Sequence, residues 1–197
     1  AIVTGSGRGI GRAVALLLAR EGAKVVVSDI DPAPAQETAG GIKKAGGESL
    51  AYPGDVTKPE FADGIVKQAV QAWGGLHILV NNAGFTWDAV IHKMTDQQWE
   101  AMLGVHLTAP FRLIRAAAPY FREAAKQEKE AGKVVNRKII NVSSIAGTRG
   151  NAGQANYAAA KSGTVGLARA LAKEWGPLNV QVNAVAYGWI DTRLTKE

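Results

Sequence analysis

Tyr157 and Lys161 are the residues whose types and spacing point most directly to acid–base chemistry. They stand four positions apart, so a helix would place both side chains on one face. A phenol is a poor proton donor or acceptor at its usual pKa near ~10. A neighbouring ammonium favours the phenolate, and we expect it to move the pKa of Tyr157 toward neutrality. The pair therefore indicates a group that exchanges a proton with a carbonyl or alcohol oxygen.

Ser144 is the third candidate, and it stands thirteen positions before Tyr157. It follows residues 138–142, which we expect to form a strand. In an open α/β sheet the carboxyl ends of the strands form the binding crevice, so a hydroxyl there can hold a substrate oxygen beside the phenol. Two simpler interpretations stay open at this point. Ser143 and Ser144 could merely terminate the strand, and a tyrosine and a lysine at this spacing also occur by chance.

A glycine-rich turn, Thr4–Gly11, joins the first expected strand to the first expected helix. Such a turn lets the backbone approach a pyrophosphate, while the helix presents unpaired N–H groups to the anion. Gly5, Gly9 and Gly11 fit a T-G-x-x-x-G-x-G pattern, and Ile10 occupies the place of the last glycine in the ordinary dinucleotide fingerprint. The alternative is a glycine-rich turn without a ligand.

Asp29 and Arg8 make opposite predictions about the cofactor. Asp29 ends the second expected strand, eighteen positions after Gly11, where a carboxylate can accept hydrogen bonds from ribose hydroxyls and repel a 2′-phosphate. Arg8, in the glycine turn, could instead pair with that phosphate. We favour NAD(H) because Asp29 is nearer the ribose position, and NADP(H) stays open. Asp29 could also merely cap the next helix.

The elements that must position these residues alternate along the chain. The segments with strand character are residues 1–4, 23–28, 49–52, 76–80, 138–142 and 180–185. Amphipathic helical segments lie between them, at about residues 10–21, 32–45, 59–73, 96–126 and 156–175. This alternation predicts one Rossmann-type α/β domain over residues 1–197, a doubly wound parallel sheet with helices on both faces. The charged segment 127–137 is expected to be a mobile surface insertion.

Composition restricts the classes of function. The chain has 197 residues, of which 47% are hydrophobic and 20% charged, and a net charge of +6, which suits one soluble domain. No basic run or aromatic-interleaved patch favours nucleic acid. The absence of cysteine excludes thiol chemistry and disulfides, and the three histidines lack metal-ligand spacing.

The sequence also gives expectations about the cellular location of the protein and about the ends of the chain. No apolar stretch approaches the ~20 residues that span a bilayer, so we expect a cytoplasmic protein. The sequence opens inside a strand and stops shortly after another. Both ends therefore look truncated, with a final strand missing, and an upstream targeting segment stays open.

With these motifs together, the chain resembles the short-chain dehydrogenase/reductase family over essentially its whole length. The motifs that carry the resemblance are Thr4–Gly11, Gly54-Asp55-Val56, Asn81-Asn82-Ala83-Gly84, Ser144 and Tyr157-Ala158-Ala159-Ala160-Lys161. The stretch from Gly150 to Tyr157 most resembles the 3-oxoacyl-acyl-carrier-protein reductase branch. The resemblance implies an NAD(P)-dependent oxidoreductase that interconverts a ketone and a secondary alcohol, with an acyl thioester as the expected substrate.

The resemblance also implies roles for particular residues. Ser144 would orient the carbonyl, Tyr157 would be the acid–base residue, and Lys161 would tune it while holding the nicotinamide ribose. The remaining cofactor contacts it implies are Asp55 and Val56 at the adenine, Asn82, Ala83 and Gly84 along the cleft, and Gly188, Ile190 and Thr192 near the nicotinamide and phosphates. Members commonly form tetramers, or dimers, through two long helices, which here would be 96–126 and 156–175.

Three departures from the family pattern stand out. His106 occupies the place of an asparagine that anchors a water in a proton relay. Its imidazole could hold that water, shuttle the proton itself, or simply pack within a helix. Tyr187-Gly188 replaces the usual Pro-Gly, and the given sequence ends at Glu197, before the substrate-covering segment that the resemblance implies.

Other functions stay open on the sequence alone. A dehydrogenase of sugars, steroids, hydroxyacyl compounds or other secondary alcohols is the main alternative, and Asp29 favours it through NAD. The departures at His106 and Tyr187 would also suit a nucleotide-binding regulator without catalysis. A nucleic-acid-binding module would rest on net charge alone.

Overall fold

A six-stranded, entirely parallel sheet forms the centre of the protein, as seen in a computed structural model that describes residues 1–192. Its strand order is β3-β2-β1-β4-β5-β6, the doubly wound order that the sequence predicts. The strands are β1 (Ile2–Val3), β2 (Val25–Val27), β3 (Ser49–Ala51), β4 (Ile78–Asn81), β5 (Arg137–Ser144) and β6 (Val180–Tyr187). The last five residues of the expected domain, 193–197, lie outside the described residues.

Helices connect the strands and cover both faces of the sheet. They are α1 (Gly9–Arg20), α2 (Pro32–Lys44), α3 (Pro59–Trp73), α4 (Asp96–Leu103), α5 (Ala109–Ala118), α6 (Ala124–Glu130), α7 (Ile145–Arg149) and α8 (Ala155–Trp175). Sequence periodicity did not predict α7, because its five residues are too few to show a period. No described helix has the length and apolarity that a bilayer crossing requires.

Successive strand residues point to opposite faces, and each face has its own core. Leu79 and Ile139 pack on one face among α3, α5 and α8, whereas Val27 and Val80 pack on the other with α1 and α2. Burial on both faces explains why the strands are nearly continuous apolar runs rather than alternating ones. The sheet is therefore a rigid base for the loops at its carboxyl edge.

The expected single helix over 96–126 is interrupted twice. Helices α4 and α5 are joined by a π-helical turn at Gly104–Thr108, and α5 and α6 by another at Pro119–Glu123. Proline lacks an N–H for the helical ladder, and Pro119 begins the second turn. The first turn contains His106, and such turns frequently lie at functional sites.

The charged segment 127–137 differs from the surface insertion expected there. Arg137 is only 3% exposed and begins β5. Its guanidinium donates to both carboxylate oxygens of Glu128, at 2.6 and 2.8 Å. This bidentate pair connects α6 to the sheet, so the prediction that Arg137 belongs to the surface is wrong.

Candidate active site

A cleft of about 1450 Å³ lies at the carboxyl edge of the sheet. The strand order reverses between β1 and β4, and open α/β sheets bind ligands at such a point. The volume exceeds the ~300–1,000 Å³ of most ligand pockets, which leaves room for a dinucleotide and a substrate together. All the candidate residues line this cleft: Gly5, Arg8, Gly9, Ile10, Gly11, Asp29, Asp55, Val56, Asn82, Ala83, Gly84, His106, Ser144, Tyr157, Lys161, Gly188, Ile190 and Thr192.

The glycine turn is held against the end of β4. Gly5 has φ +61°, and a Cβ there would lie 2.7 Å from the Cα of Ala83, so this close approach requires glycine. The Asn82 amide donates to the carbonyls of Thr4 and Gly5, at 2.9 and 3.0 Å. Asn82 therefore fixes the shape of the turn as well as lining the cleft.

The turn and α1 fit a pyrophosphate. Helix α1 begins at Gly9, and the residue before it, Arg8, makes no side-chain capping hydrogen bond. The N–H groups of the first turn have no partner within a helix, and they carry a partial positive charge that favours an anion. Thr192 closes the same end, since its methyl lies 3.7 Å from where a Cβ on Gly9 would be.

Asp29 and Arg8 both interact with other groups of the protein. The buried Asp29 carboxylate accepts hydrogen bonds from the N–H groups of Gly7 and Asp31, at 3.0 and 3.2 Å. Arg8 pairs with the Asp31 carboxylate at 2.8 Å. The adenosine end therefore carries two carboxylates, and the arginine charge there is already paired.

Asp55 and Val56 line the same end of the cleft. The Asp55 carboxylate accepts from the Thr57 N–H and hydroxyl, at 2.9 and 2.7 Å. This local turn fixes the loop after β3 and leaves Val56 as its apolar wall. The arrangement suits a flat apolar ring such as adenine.

Ser144, Tyr157 and Lys161 meet on the floor of the cleft. Ser144 ends β5 and caps α7, where its hydroxyl accepts from the Ala146 N–H at 3.2 Å. It also lies within hydrogen-bonding reach of the Tyr157 phenol. The Lys161 ammonium lies 5.6 Å from the centre of the phenol ring and donates to the Val142 carbonyl at 2.5 Å. The structure thus brings together three residues that are related in the sequence only by their spacing.

The pKa of Tyr157 differs from the sequence-based expectation. Burial raises the pKa of this phenol, the hydrogen bond from Ser144 opposes the rise, and the charge of Asp88 adds to it. The expectation that Lys161 brings the pKa of Tyr157 toward neutrality is therefore wrong for the protein alone. Burial instead lowers the pKa of Lys161 to about 8. Desolvation disfavours the charged form of both groups.

His106 lies beside Tyr157, with ring centres 4.9 Å apart at right angles. Its Nε2 lies 2.7 Å from the Phe85 carbonyl, which can only accept, so Nε2 carries the proton and Nδ1 is an acceptor. Burial, followed by the charge of Lys161, lowers the pKa of His106 to about 3. The imidazole is therefore neutral at physiological pH, which disfavours the idea that it carries the proton itself.

Several residues that line the cleft were not predicted from the sequence motifs. Trp87, Asp88 and Gln154 also line the cleft, and the buried Asn156 contacts the loop that carries two of them. They lie in irregular segments or just before Tyr157, and their spacing carries no period. No group of three His, Asp or Glu side chains among residues 1–192 could hold a metal ion.

Comparison with known proteins gives several full-length matches. The family model described as short chain dehydrogenase matches residues 1–197. The chain is 41% identical to 3-oxoacyl-[acyl-carrier-protein] reductase FabG of Vibrio cholerae, covering 100% of this chain and 75% of the relative. It is 43% identical to hydroxyacyl-CoA dehydrogenase ChsB1 of Mycobacterium tuberculosis, covering 94% of this chain and 59% of the relative. A crystal structure of a short chain dehydrogenase from Mycobacterium avium superimposes with a TM-score of 0.87 at 42% identity, covering 95% of this chain and 66% of that chain.

The chain belongs to the short chain dehydrogenase family. It is accordingly an NAD(P)-dependent oxidoreductase that acts on a CH–OH group or the corresponding ketone. It spans about three quarters of the FabG relative's length and less of the other two. The family assignment thus agrees with the fold and with the cleft.

Proposed function

We propose that this protein reduces the ketone of a 3-oxoacyl thioester to the secondary alcohol with NADH. The observation that carries the proposal is the Ser144–Tyr157–Lys161 cluster on the floor of a cleft whose other end fits a dinucleotide. FabG relatives from two organisms, at 37–41% identity over the whole chain, support this substrate class.

In this proposal each residue has a defined task. A nicotinamide held in the cleft would supply hydride to the carbonyl carbon. The Tyr157 phenol donates a proton to the carbonyl oxygen, which the Ser144 hydroxyl holds in place. Because burial raises the pKa of Tyr157, the phenol is protonated at neutral pH. A protonated phenol suits reduction better than oxidation of the alcohol.

We assign the cofactor as NAD(H) from the charges at the adenosine end. The carboxylates of Asp29 and Asp31 both disfavour a 2′-phosphate there. Arg8, the group that would favour it, is paired with Asp31 at 2.8 Å. This balance supports NADH over NADPH.

The neutral His106 holds a water rather than carrying a proton in this proposal. Its Nδ1 is buried and has no hydrogen-bond partner among residues 1–192, and Lys161 is close enough to influence its charge. A water bound to Nδ1 would connect the imidazole toward Lys161 and resupply the proton that Tyr157 gives away.

The second candidate function is NAD-dependent oxidation of a hydroxyacyl thioester. The identity to ChsB1 and the carboxylate of Asp29 favour it. Rates in both directions at pH 7 distinguish the two, because the raised pKa of Tyr157 penalises oxidation, which needs a phenolate. Faster oxidation than reduction at this pH would favour the second candidate.

Replacement of Tyr157 by phenylalanine tests the proposal. With acetoacetyl thioester and NADH we expect kcat to fall by ~10²–10⁴-fold, the usual contribution of a positioned acid. The dissociation constant of NADH should stay within about two-fold of wild type. Tyr120→Phe, on the partly buried Tyr120 that packs in the core, is the matched control and should retain activity. Unchanged turnover in Tyr157→Phe refutes the assignment.

We also propose a homotetramer or homodimer through α5 and α8. Phe111 on α5 is 45% exposed, with the Arg115 guanidinium 5.0 Å from its ring centre. An aromatic residue stacked with arginine is typical of interface contacts.

A further inference from the structure

Asn156, immediately before the catalytic tyrosine, is buried completely and uses its whole amide. Its Oδ1 accepts from the Tyr157 N–H at 2.8 Å. Its Nδ2 donates to the carbonyls of Trp87 and Gln98, at 3.1 and 3.0 Å. A carbonyl cannot donate and an N–H cannot accept, so these partners fix the amide orientation. One side chain thus connects the loop after β4, helix α4 and the start of α8.

Two further contacts hold the same loop against residues 153–154. The Ala89 N–H donates to the Gly153 carbonyl at 2.9 Å, and the Gln154 amide donates to the Asp88 carboxylate at 2.8 Å. Both contacts lie nearer the surface than Asn156. We name residues 85–90 the substrate wall, because the first four of them line the cleft that Tyr157 also lines. Asn156 is the buried support of this wall.

The position of the substrate wall matters for the chemistry. Trp87 is 41% exposed and lines the cleft, so its indole is available to an acyl group. Asp88 is close enough for its charge to influence Tyr157. A shift of this wall would alter both the fit of the carbonyl and the electrostatic field at the phenol.

We propose that Asn156 is a positioning residue that fixes the substrate wall relative to Tyr157 and thereby sets the reactive geometry of the carbonyl substrate. The inference deepens the proposed reductase function and rests on it for its kinetic part. The side-chain hydrogen bonds of Asn156 join it to Trp87, Gln98 and Tyr157 rather than to the glycine turn, so we expect cofactor binding to change little when Asn156 is replaced. The role is therefore specific to the substrate side.

Asn156→Asp gives the sharpest test because it keeps the shape and changes one atom. The new oxygen would face the Trp87 and Gln98 carbonyls, where an ionised carboxylate is repelled and desolvated. Both effects raise the pKa of the new carboxyl. When protonated, it can donate to one carbonyl and restore half of the contact.

Other ionisable groups bear on this titration. Those on the segments packed around Asn156 are Asp88, His92, Lys93, Asp96, Glu100, Tyr157 and Lys161. The carboxylates among them raise the pKa of the new acid further, and the cations oppose this. Since wild type contains all of these groups, the ratio of the variant's kcat/KM to that of wild type at each pH reports the effect of position 156 alone.

The experiment measures kcat and KM for acetoacetyl thioester with NADH between pH 5.5 and 8, on the full-length protein. We expect Asn156→Asp to lose on the order of 10- to 100-fold in kcat/KM at pH 8, the scale of a small misplacement of reacting groups. The deficit should shrink as pH falls, while NADH binding stays within about two-fold. Asn136→Asp, at an exposed loop position, is the matched control and should follow wild type.

Hydrogen exchange of the Ala89 amide provides a readout without substrate. We expect faster exchange in Asn156→Asp than in wild type at the same pH, with the ratio closer to one at pH 5.5. Gln154→Ala, which removes the exposed contacts of this side chain to Asp88 and Asn151, should fold normally and give a smaller increase in exchange.

The outcomes separate the two proposals. If Asn156→Asp shows the same Ala89 exchange rate and the same kcat/KM as wild type, the positioning role is overturned. A deficit that is independent of pH and accompanied by loss of NADH binding also overturns it, because that indicates general damage. If wild-type enzyme turns over no acyl thioester, the proposed function fails, and the exchange ratios still decide the role of Asn156.

Discussion

Replacing Lys161 with methionine should make this protein inactive and more stable. Lys161 is 4% exposed, and burial lowers its pKa from 10.5 to about 8. Each pKa unit corresponds to ~1.36 kcal/mol, so the buried ammonium costs at most about 3 kcal/mol of folding stability at neutral pH. Methionine removes that cost but also the hydrogen bond to the Val142 carbonyl, which offsets roughly 1 kcal/mol. The net gain at pH 7 is therefore about 1–2 kcal/mol.

The sign of the pH dependence makes the prediction specific. Between pH 8 and 10.5 the unfolded chain binds a proton at Lys161 that the folded protein lacks, so wild-type stability rises with pH over this window. Lys161→Met lacks this contribution. Its advantage should be constant below about pH 8 and should close as pH approaches ~10.5.

Thermal unfolding of the cofactor-free protein from pH 6 to 10.5 provides the assay. A gain of this size raises Tm by roughly 2–8 °C in a domain of this length. Lys173→Met, on the exposed side of the same helix, is the matched control and should change Tm little at any pH. A Lys161→Met protein that is less stable at pH 7, or whose advantage does not change up to pH 10.5, refutes the reasoning.

Two further predictions concern the cofactor and the relay. Asp31→Asn should release Arg8 and raise kcat/KM for NADPH by roughly 3- to 10-fold while leaving NADH nearly unchanged. Glu37→Gln, which frees the exposed Arg12 instead, should leave both values unchanged, and an equal change for the two cofactors contradicts the Asp31 prediction. His106→Ala should lower kcat by ~10-fold or more, and His106→Asn should restore most of it. Because the pKa of His106 is lowered to about 3, the wild-type rate profile should show no imidazole titration between pH 5 and 8; an inflection there that disappears in His106→Asn refutes a neutral His106.

Much of the fold and the core of the site could be predicted from the sequence because their signals are local. The glycine turn, the apolar strand runs and the four-residue interval between Tyr157 and Lys161 depend on neighbours along the chain. The carboxyl-edge rule then places Ser144 beside them. The long helix was predicted as continuous because periodicity does not register the π turn at His106.

What only the tertiary structure decided depends on burial and on partners far along the chain. The position of Arg8 in the glycine turn predicts a possible partner for a 2′-phosphate, whereas its pairing with Asp31 from the next β–α unit is visible only in the tertiary structure. The spacing of Tyr157 and Lys161 suggested a lowered phenol pKa, but desolvation reverses the direction. The contacts of Asn156 cannot be read from the sequence, because its partners Trp87 and Gln98 lie 69 and 58 positions away. Spacing along a chain determines which side chains share a face, whereas packing determines which charges lose water and which amides meet.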